Sequence, residues 1–296
     1  MFLLKILLLG KYGQLGWECH RALSCLGEVK ALDFPEIDLK QPENLCVLIR
    51  SWKPDVVVNA TAYTEVDRAE TETEFAFAIN RDAPGILAEE ARRIGCGLIH
   101  FSTDYVFDGT KGADYVESDI PNPVNVYGHS KLAGERAIQQ VGGVYLILRT
   151  SWVYSLRRPS FVTKVLEWAR KQHTLRIVSD QVSNPTWSRM LAEITAQLIA
   201  KGANDLVPWM REYSGLYHLA GWGTASRFEW AQSILAWDPR REEQVIKEIL
   251  PAESQEFPAP AQRPLYSALS CDLFMDTFGL RLPDWEEALK LALDFA

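Results

Sequence analysis

From residue 3 to about residue 150 the chain alternates unbroken apolar runs with segments whose apolar positions recur every three or four residues. LLKILLLG is an apolar run of the kind found in strands covered on both faces, as in a parallel sheet. GQLGWECHRALSCLG then follows helical spacing and predicts a helix ending at Gly27, before EVKALD, a second strand. PENLCVLIRSWKP predicts a helix stopped by Pro54, and DVVVNATA a third strand. EFAFAINRDAPGILAEEARRIG is helical, with a fresh segment starting at Pro84, and CGLIHFST is a fourth strand. KLAGERAIQQVG predicts a helix leading into VYLILRTSWVY. This alternation implies an α/β molecule, a parallel sheet with helices on both faces.

The second half is mixed. PSFVTKVLEWARKQ, SRMLAEITAQLIAKG and SRFEWAQSILAW read as helices, and TLRIVSD and GLYHLAG as strands. PAESQEFPAPAQRP holds four of the fifteen prolines and reads as an extended loop before a closing helix, PDWEEALKLALDF. The division expected is residues 1–152 as one domain and 153–296 as a smaller lobe interleaved with further strands and helices of the first.

Charge and composition remove several classes. A net charge of −8 argues against nucleic-acid or membrane-surface binding, so an anionic substrate would need a local positive site. The apolar start is short and interrupted by Lys5, which fits a strand and not a signal peptide, and no run reaches membrane-spanning length. Five scattered cysteines without a CxxC predict buried, reduced thiols and a cytoplasmic protein. The histidines form no zinc-binding cluster.

Candidate chemistry sits at the strand ends. GKYGQLG sets Gly10, Gly13 and Gly16 at three-residue intervals between the first strand and its helix. There a tight turn and free helix N–H groups can receive a pyrophosphate, which makes the predicted sheet Rossmann-type and doubly wound. Asp33 ends the second strand, where an acidic residue receives the adenosine ribose; it would repel a 2′-phosphate that Lys11 would attract, leaving NADH and NADPH both open. Asp38 would lie under the adenine or cap the following helix. Thr103 ends the fourth strand, and Tyr127 and Lys131, four positions apart, share a helix face. A hydroxyl, a phenol and an ammonium form a proton-transfer unit for carbonyl reduction. Thr103 would hold the carbonyl oxygen, Tyr127 would give the proton, and Lys131 would lower the Tyr127 pKa and grip the nicotinamide ribose.

With these stretches in order the chain resembles an extended short-chain dehydrogenase/reductase. Within that superfamily GKYGQLGWE, PDVVVNATAYTEVDRAE, STDYVFDG, NVYGHSKLAGE, LRTSWVY, DQVSNPT and GLYHLAG are similar to the dTDP-4-dehydrorhamnose reductases. The resemblance implies Tyr127 as proton donor with Lys131 and Thr103 as partners. It implies Gly13, Gln14 and Leu15 against the cofactor pyrophosphate, and Asp33, Asp38 and Leu39 along the adenosine. Ala62, Tyr63 and Thr64 would line the nicotinamide side, and Thr103, Asp104 and Trp152 would touch the sugar nucleotide. Arg263 is a weaker candidate for a phosphate, and Asn184 weaker still.

The implied reaction reduces the 4-keto group of dTDP-4-dehydro-6-deoxy-L-mannose to dTDP-L-rhamnose. Two alternatives stand beside it: a 4-ketoreductase for another nucleotide sugar, and a non-catalytic subunit like the regulatory subunit of methionine adenosyltransferase. Some members of the family form a metal-linked homodimer through glutamates. Glu18 matches one such position, but Arg189 stands where a carboxylate is expected, so a homodimer is admitted and magnesium is not expected.

Overall fold

The computed structural model describes residues 4–294, so Leu3 of the first expected strand and Phe295 of the last expected helix lie outside the described residues. The first half runs β1 (Leu4–Leu9), α1 (Gln14–Leu23), β2 (Gly27–Leu32), α2 (Glu43–Trp52), β3 (Val56–Asn59), α3 (Val66–Ala69) and α4 (Thr73–Phe77). A π-turn, Ala78–Asp82, joins α4 to α5 (Ala83–Ile94), so the segment continues past Pro84 with that residue in the first turn of α5. Then follow β4 (Gly97–Thr103), α6 (Val126–Val141) and β5 (Val144–Thr150).

The remainder holds β6 (Val153–Tyr154), α7 (Phe161–Ala169), β7 (Thr174–Val178), β8 (Val182–Ser183), β9 (Thr186–Trp187), α8 (Ser188–Lys201) and α9 (Leu206–Glu212). It continues through β10 (Gly215–His218), β11 (Ala225–Ser226), α10 (Arg227–Ala236), β12 (Glu248–Ala252), α11 (Asp272–Phe278) and α12 (Trp285–Asp294).

Six parallel strands form the main sheet in the order β10-β5-β4-β3-β1-β2. The chain goes from β1 outward to β2, then crosses back to β3 on the other side. That reversal opens a crevice at the carboxyl ends of β1 and β3, where doubly wound sheets bind ligands. Side chains alternate across the sheet. Ile6 and Leu8 pack with Val56, Val58, Leu146 and Leu148 on the face covered by α1 and α8. Leu7 and Leu9 pack with Val57, Leu98 and Ile147 on the face of α2 and α5. Both faces are buried, and for that reason the strands read as continuous apolar runs.

A separate core belongs to the second half. Val162 and Val165 of α7, Trp230 and Ile234 of α10 and Leu289 of α12 enclose β7, which pairs in parallel with β12. Two readings of the sequence are corrected here. The first helix ends at Leu23, and Gly27 instead opens β2 beside Leu4, where a Cβ would stand 2.0 Å from the Leu4 carbonyl oxygen. The start of the proline-rich loop is β12, with Pro251 inside it; β12 is an edge strand of a two-stranded pair, where a missing N–H is tolerated.

Candidate active site

Two adjoining cavities open at the carboxyl ends of the central strands. The larger, about 660 Å³, is lined by Gly13, Gln14, Leu15, Ala62, Thr64, Thr103, Asp104, Tyr127, Lys131 and Trp152, among others. The smaller, about 440 Å³, is lined by Asp33, Asp38, Leu39, Ala62 and Tyr63, among others. Thr61 and Ala62 line both and join them.

The loop between β1 and α1 is built for close approach. Gly10 has φ +91°, and a Cβ on Gly16 would stand 1.9 Å from the Gly10 carbonyl oxygen, so any side chain there would push the loop off the helix. Both glycines shape the loop, while Gly13 and its neighbours face the cavity. Gly13 caps α1 without a side-chain bond, so the first-turn N–H groups of Gln14 and Leu15 have no side-chain acceptor, and the buried Gln14 Oε1 is unpartnered. Uncapped N–H groups at the positive end of a helix fit a pyrophosphate.

At the far end the Asp33 carboxylate accepts the Tyr12 N–H and its neighbour Phe34 N–H, both at 2.8 Å. Lys11 is held by Glu36 at 2.6 Å, which raises its pKa. Asp38 accepts the Lys40 N–H at 2.9 Å, and α2 begins after Pro42, so the helix-capping alternative for Asp38 does not occur. Tyr63, expected on the nicotinamide side, turns into the smaller cavity. Its ring packs edge-on against Phe75, and its hydroxyl donates to Glu72 at 2.6 Å.

Thr103, Tyr127 and Lys131 meet at the larger cavity. The helix carrying the pair starts earlier than the periodicity suggested, because the Asn125 side chain accepts the Gly128 N–H at 2.7 Å and caps α6 there. That cap puts Tyr127 in the first turn and Lys131 one turn on, beneath the end of β4. Burial pushes the Tyr127 phenol above its ordinary pKa, opposed by a hydrogen bond with Thr103 and reinforced by the charge of Asp104. The Lys131 amine has partners of its own beneath the site. It donates to the Phe101 carbonyl oxygen at 2.7 Å and lies 3.4 Å from His100 Nε2. Burial pulls Lys131 down to about 8, against the nearby Glu135 charge.

Asp104 is buried, and burial pushes it up to about 6. The hydroxyls of Ser267 at 2.5 Å, Ser183 at 3.1 Å and Thr103 at 3.1 Å donate to it.

The larger cavity also holds residues that the sequence reading passed over. Arg158 and Arg227 line the larger cavity, and neither has an ion-pair partner among the described residues. The Arg227 guanidinium lies 3.6 Å above Trp152, whose other neighbour is the stacked Trp230 at 5.6 Å. Trp152 holds φ +39°, a conformation disfavoured for a bulky side chain, at the lip of the site. Ser226 and Glu229 form a reciprocal cap at the start of α10, at 3.1 and 2.8 Å. Such a cap contributes about 1 kcal/mol and sets where Arg227 emerges. That capping pattern, S-x-x-E in SRFE, was the available signal. Arg263 is not free for a phosphate: it grips Asp67 at 2.6 and 2.7 Å. Asn184 is buried and ties loops together, donating to the Gly223 carbonyl at 2.9 Å and accepting the Leu269 N–H at 2.8 Å.

The model of the RmlD substrate binding domain family matches residues 4–296. The chain belongs to this family. It is 41% identical over 293 residues to a dTDP-4-dehydrorhamnose reductase of Burkholderia thailandensis, covering 98% of both chains. Among solved structures, a dTDP-4-dehydrorhamnose reductase from Clostridium acetobutylicum superposes with a TM-score of 0.89 at 32% identity, covering 98% of this chain and 99% of that one. The same enzyme from Bacillus anthracis, in complex with NADP, gives 0.89 at 29% identity over the whole of both chains. Among the described residues no His/Cys/Asp/Glu group could hold a metal ion, and no helix is long and apolar enough to cross a membrane. Glu18 accepts from Arg21 at 3.0 Å, and Arg189 donates to Glu193 at 3.1 Å. Cys19, Cys96 and Cys271 are buried, whereas Cys25, in the turn after α1, is exposed and Cys46, on α2, is half-buried.

Proposed function

We propose that this member of the RmlD family reduces the 4-keto group of dTDP-4-dehydro-6-deoxy-L-mannose to give dTDP-L-rhamnose, with NADPH or NADH as reductant. The observation that carries the reading is the meeting of Thr103, Tyr127 and Lys131 at one cavity, beside a helix N-terminus open to a pyrophosphate. Relatives at 38 to 41% identity are dTDP-4-dehydrorhamnose reductases, and the Bacillus anthracis relative binds NADP. A pure binding module has no need of this proton-transfer set.

Gly13, Gln14 and Leu15 would hold the cofactor pyrophosphate, with Asp33, Asp38 and Leu39 at its adenosine end and Ala62 and Thr64 toward the nicotinamide. A bound reduced nicotinamide supplies the hydride. The chain itself supplies orientation and the proton. Thr103, turning its hydroxyl from Asp104, and Tyr127 would hold the substrate carbonyl oxygen, and Tyr127, kept protonated by burial, gives its proton as charge develops there. Asp104 accepts from sugar hydroxyls. Arg158 and Arg227 meet the diphosphate, which solves the problem of an anionic substrate on a protein of net charge −8. Residues 1–152 form the cofactor domain, and β10 and α8 from the second half complete it. The free thiols support a reducing, cytoplasmic setting, and a homodimer rests on the resemblance alone, to be read by light scattering. The function is tested by mixing the protein with the 4-keto sugar nucleotide and each reduced cofactor and following the nicotinamide absorbance. Loss of absorbance with formation of the rhamnose nucleotide is expected; no consumption with either cofactor overturns the reading.

A further inference from the structure

We propose that His100 is a positioning residue for Lys131: its imidazole, held by Asn59 as the Nε2–H tautomer, donates to the Lys131 amine and favours the uncharged form of that amine. Hydrogen-bond polarity is fixed from the end of β3, through β4, to α6. The Thr61 backbone N–H can only donate, and it lies 3.1 Å from Asn59 Oδ1. That fixes the orientation of the Asn59 amide, so its NH₂ faces His100 Nδ1 at 3.1 Å. Nδ1 is therefore an acceptor. Complete burial keeps the imidazole neutral, so its single proton sits on Nε2. Nε2 in turn lies 3.4 Å from Lys131 Nζ.

An ammonium has only N–H groups to offer, so it meets the His100 N–H donor against donor. An uncharged amine has a lone pair that accepts this N–H, while its own N–H still serves the Phe101 carbonyl at 2.7 Å. Burial acts in the same direction. Among the charged groups packed around Lys131, Glu135 on its own helix opposes both effects. Glu135 is itself engaged by Arg149 of β5 at 2.6 and 2.9 Å, which weakens its pull. Asp104 and Tyr127 share the cavity, but neither is bonded to Nζ. Burial, opposed by Glu135, brings Lys131 down to about 8, and the His100 donor adds to the lowering, so the amine can take up or release a proton close to neutral pH.

The decisive experiment needs no substrate, so its failure is separate from failure of the proposed reaction, on which only the kinetic arm rests. Lysine labelled with ¹³C at Cε is incorporated, the Lys131 resonance is assigned by its loss in Lys131→Met, and its titration is followed in wild type and three variants. His100→Leu and His100→Asn, the second polar but too short to reach Nζ, should raise the midpoint by roughly one unit. His100→Gln, whose amide oxygen can take the Asn59 N–H while its NH₂ faces Nζ, should titrate near wild type. In the kinetic arm, the alkaline limb of kcat/KM should move upward in the Leu and Asn variants and stay in place in the Gln variant. A purely structural role would lower the plateau without moving the limb. A Lys131 midpoint in His100→Asn or His100→Leu at or below the wild-type value overturns the proposal.

Discussion

Tyr127 and Asp104 carry opposite burdens of the same low-polarity pocket. Burial holds the phenol protonated and ready to donate, and it raises the carboxylate enough to titrate inside the working range. Tyr127→Phe removes one oxygen with little change in packing. Turnover should fall by about 10²-fold or more, while cofactor affinity, read by fluorescence titration, stays near wild type. For Asp104 the sign follows from its role as acceptor. Above about 6 it is ionised and, in the proposed reaction, would accept from substrate hydroxyls; as pH falls through that value it gains a proton and would lose this capacity. The kcat/KM of wild type should therefore decline on the acid side with a midpoint near 6. Asp104→Asn should lie on a lower plateau with that inflection gone. Persistence of the inflection in the Asn variant would assign it to another group. The same raised pKa makes ionised Asp104 a cost to folding: its contribution to stability is present at low pH and lost as pH rises through about 6.

At the scale of elements, α6 is the part that converts spacing into a site. Tyr127 and Lys131 were legible as partners because an interval of four residues is one helical turn, but the turn that starts the helix was not, since Asn125 acts through a cap and not through periodicity. Thr103 was legible as a strand end for the opposite reason: β4 is an apolar run buried on both sides, and its last residue must face the crevice. Elements with little apolar content were missed. In β12 only Ala252 is buried, so its pattern resembles a loop, and α9 and α11, seven residues each, are too short to show a period. Arg227 and His100 were passed over because each lies within a stretch that an ordinary helix or strand explains. Behind α6 lies a further polar unit: Glu135 receives both Arg149 bonds and the Ser102 hydroxyl at 2.5 Å, with both charged residues almost wholly buried. Removing one charge leaves the other uncompensated in the core, so Glu135→Gln should cost roughly 3–5 kcal/mol of stability, measured by urea unfolding. A loss below 1 kcal/mol would mean that water or neighbouring groups already solvate the guanidinium.

For the whole molecule the governing fact is its net charge of −8, set against a cofactor and a substrate that are both anionic. The larger cavity answers with Arg158 and Arg227, which form no salt bridge among the described residues, although the Asp104 charge acts on Arg227. The adenosine end is arranged differently. Asp33 spends both its oxygens on backbone N–H groups of the surrounding loop, and Lys11, which from sequence alone seemed available to a 2′-phosphate, is already paired with Glu36. Asp33, Asp38 and Glu36 against Lys11 and Lys40 leave a small negative excess of charges near the surface, too weak to exclude either NADH or NADPH, so no strong preference is expected. Wild type is expected to use both within about a tenfold range of kcat/KM, because exposed charges shift affinity only several-fold. Glu36 is then the residue that masks Lys11. Glu36→Gln should free the ammonium and move the ratio toward NADPH by about two- to fivefold, while Lys11→Ala should move it toward NADH. Asp33→Ala should also move the ratio toward NADPH, but with weaker binding of both cofactors, since two loop bonds go with the carboxylate. Raising the salt should shrink the Glu36 and Lys11 effects together, as screening of exposed charges requires. Steady-state kinetics with both cofactors on the four proteins, at low and high salt, decides it. An unchanged ratio in Glu36→Gln would place Lys11 out of reach of the ribose and return cofactor choice to the shape of the smaller cavity.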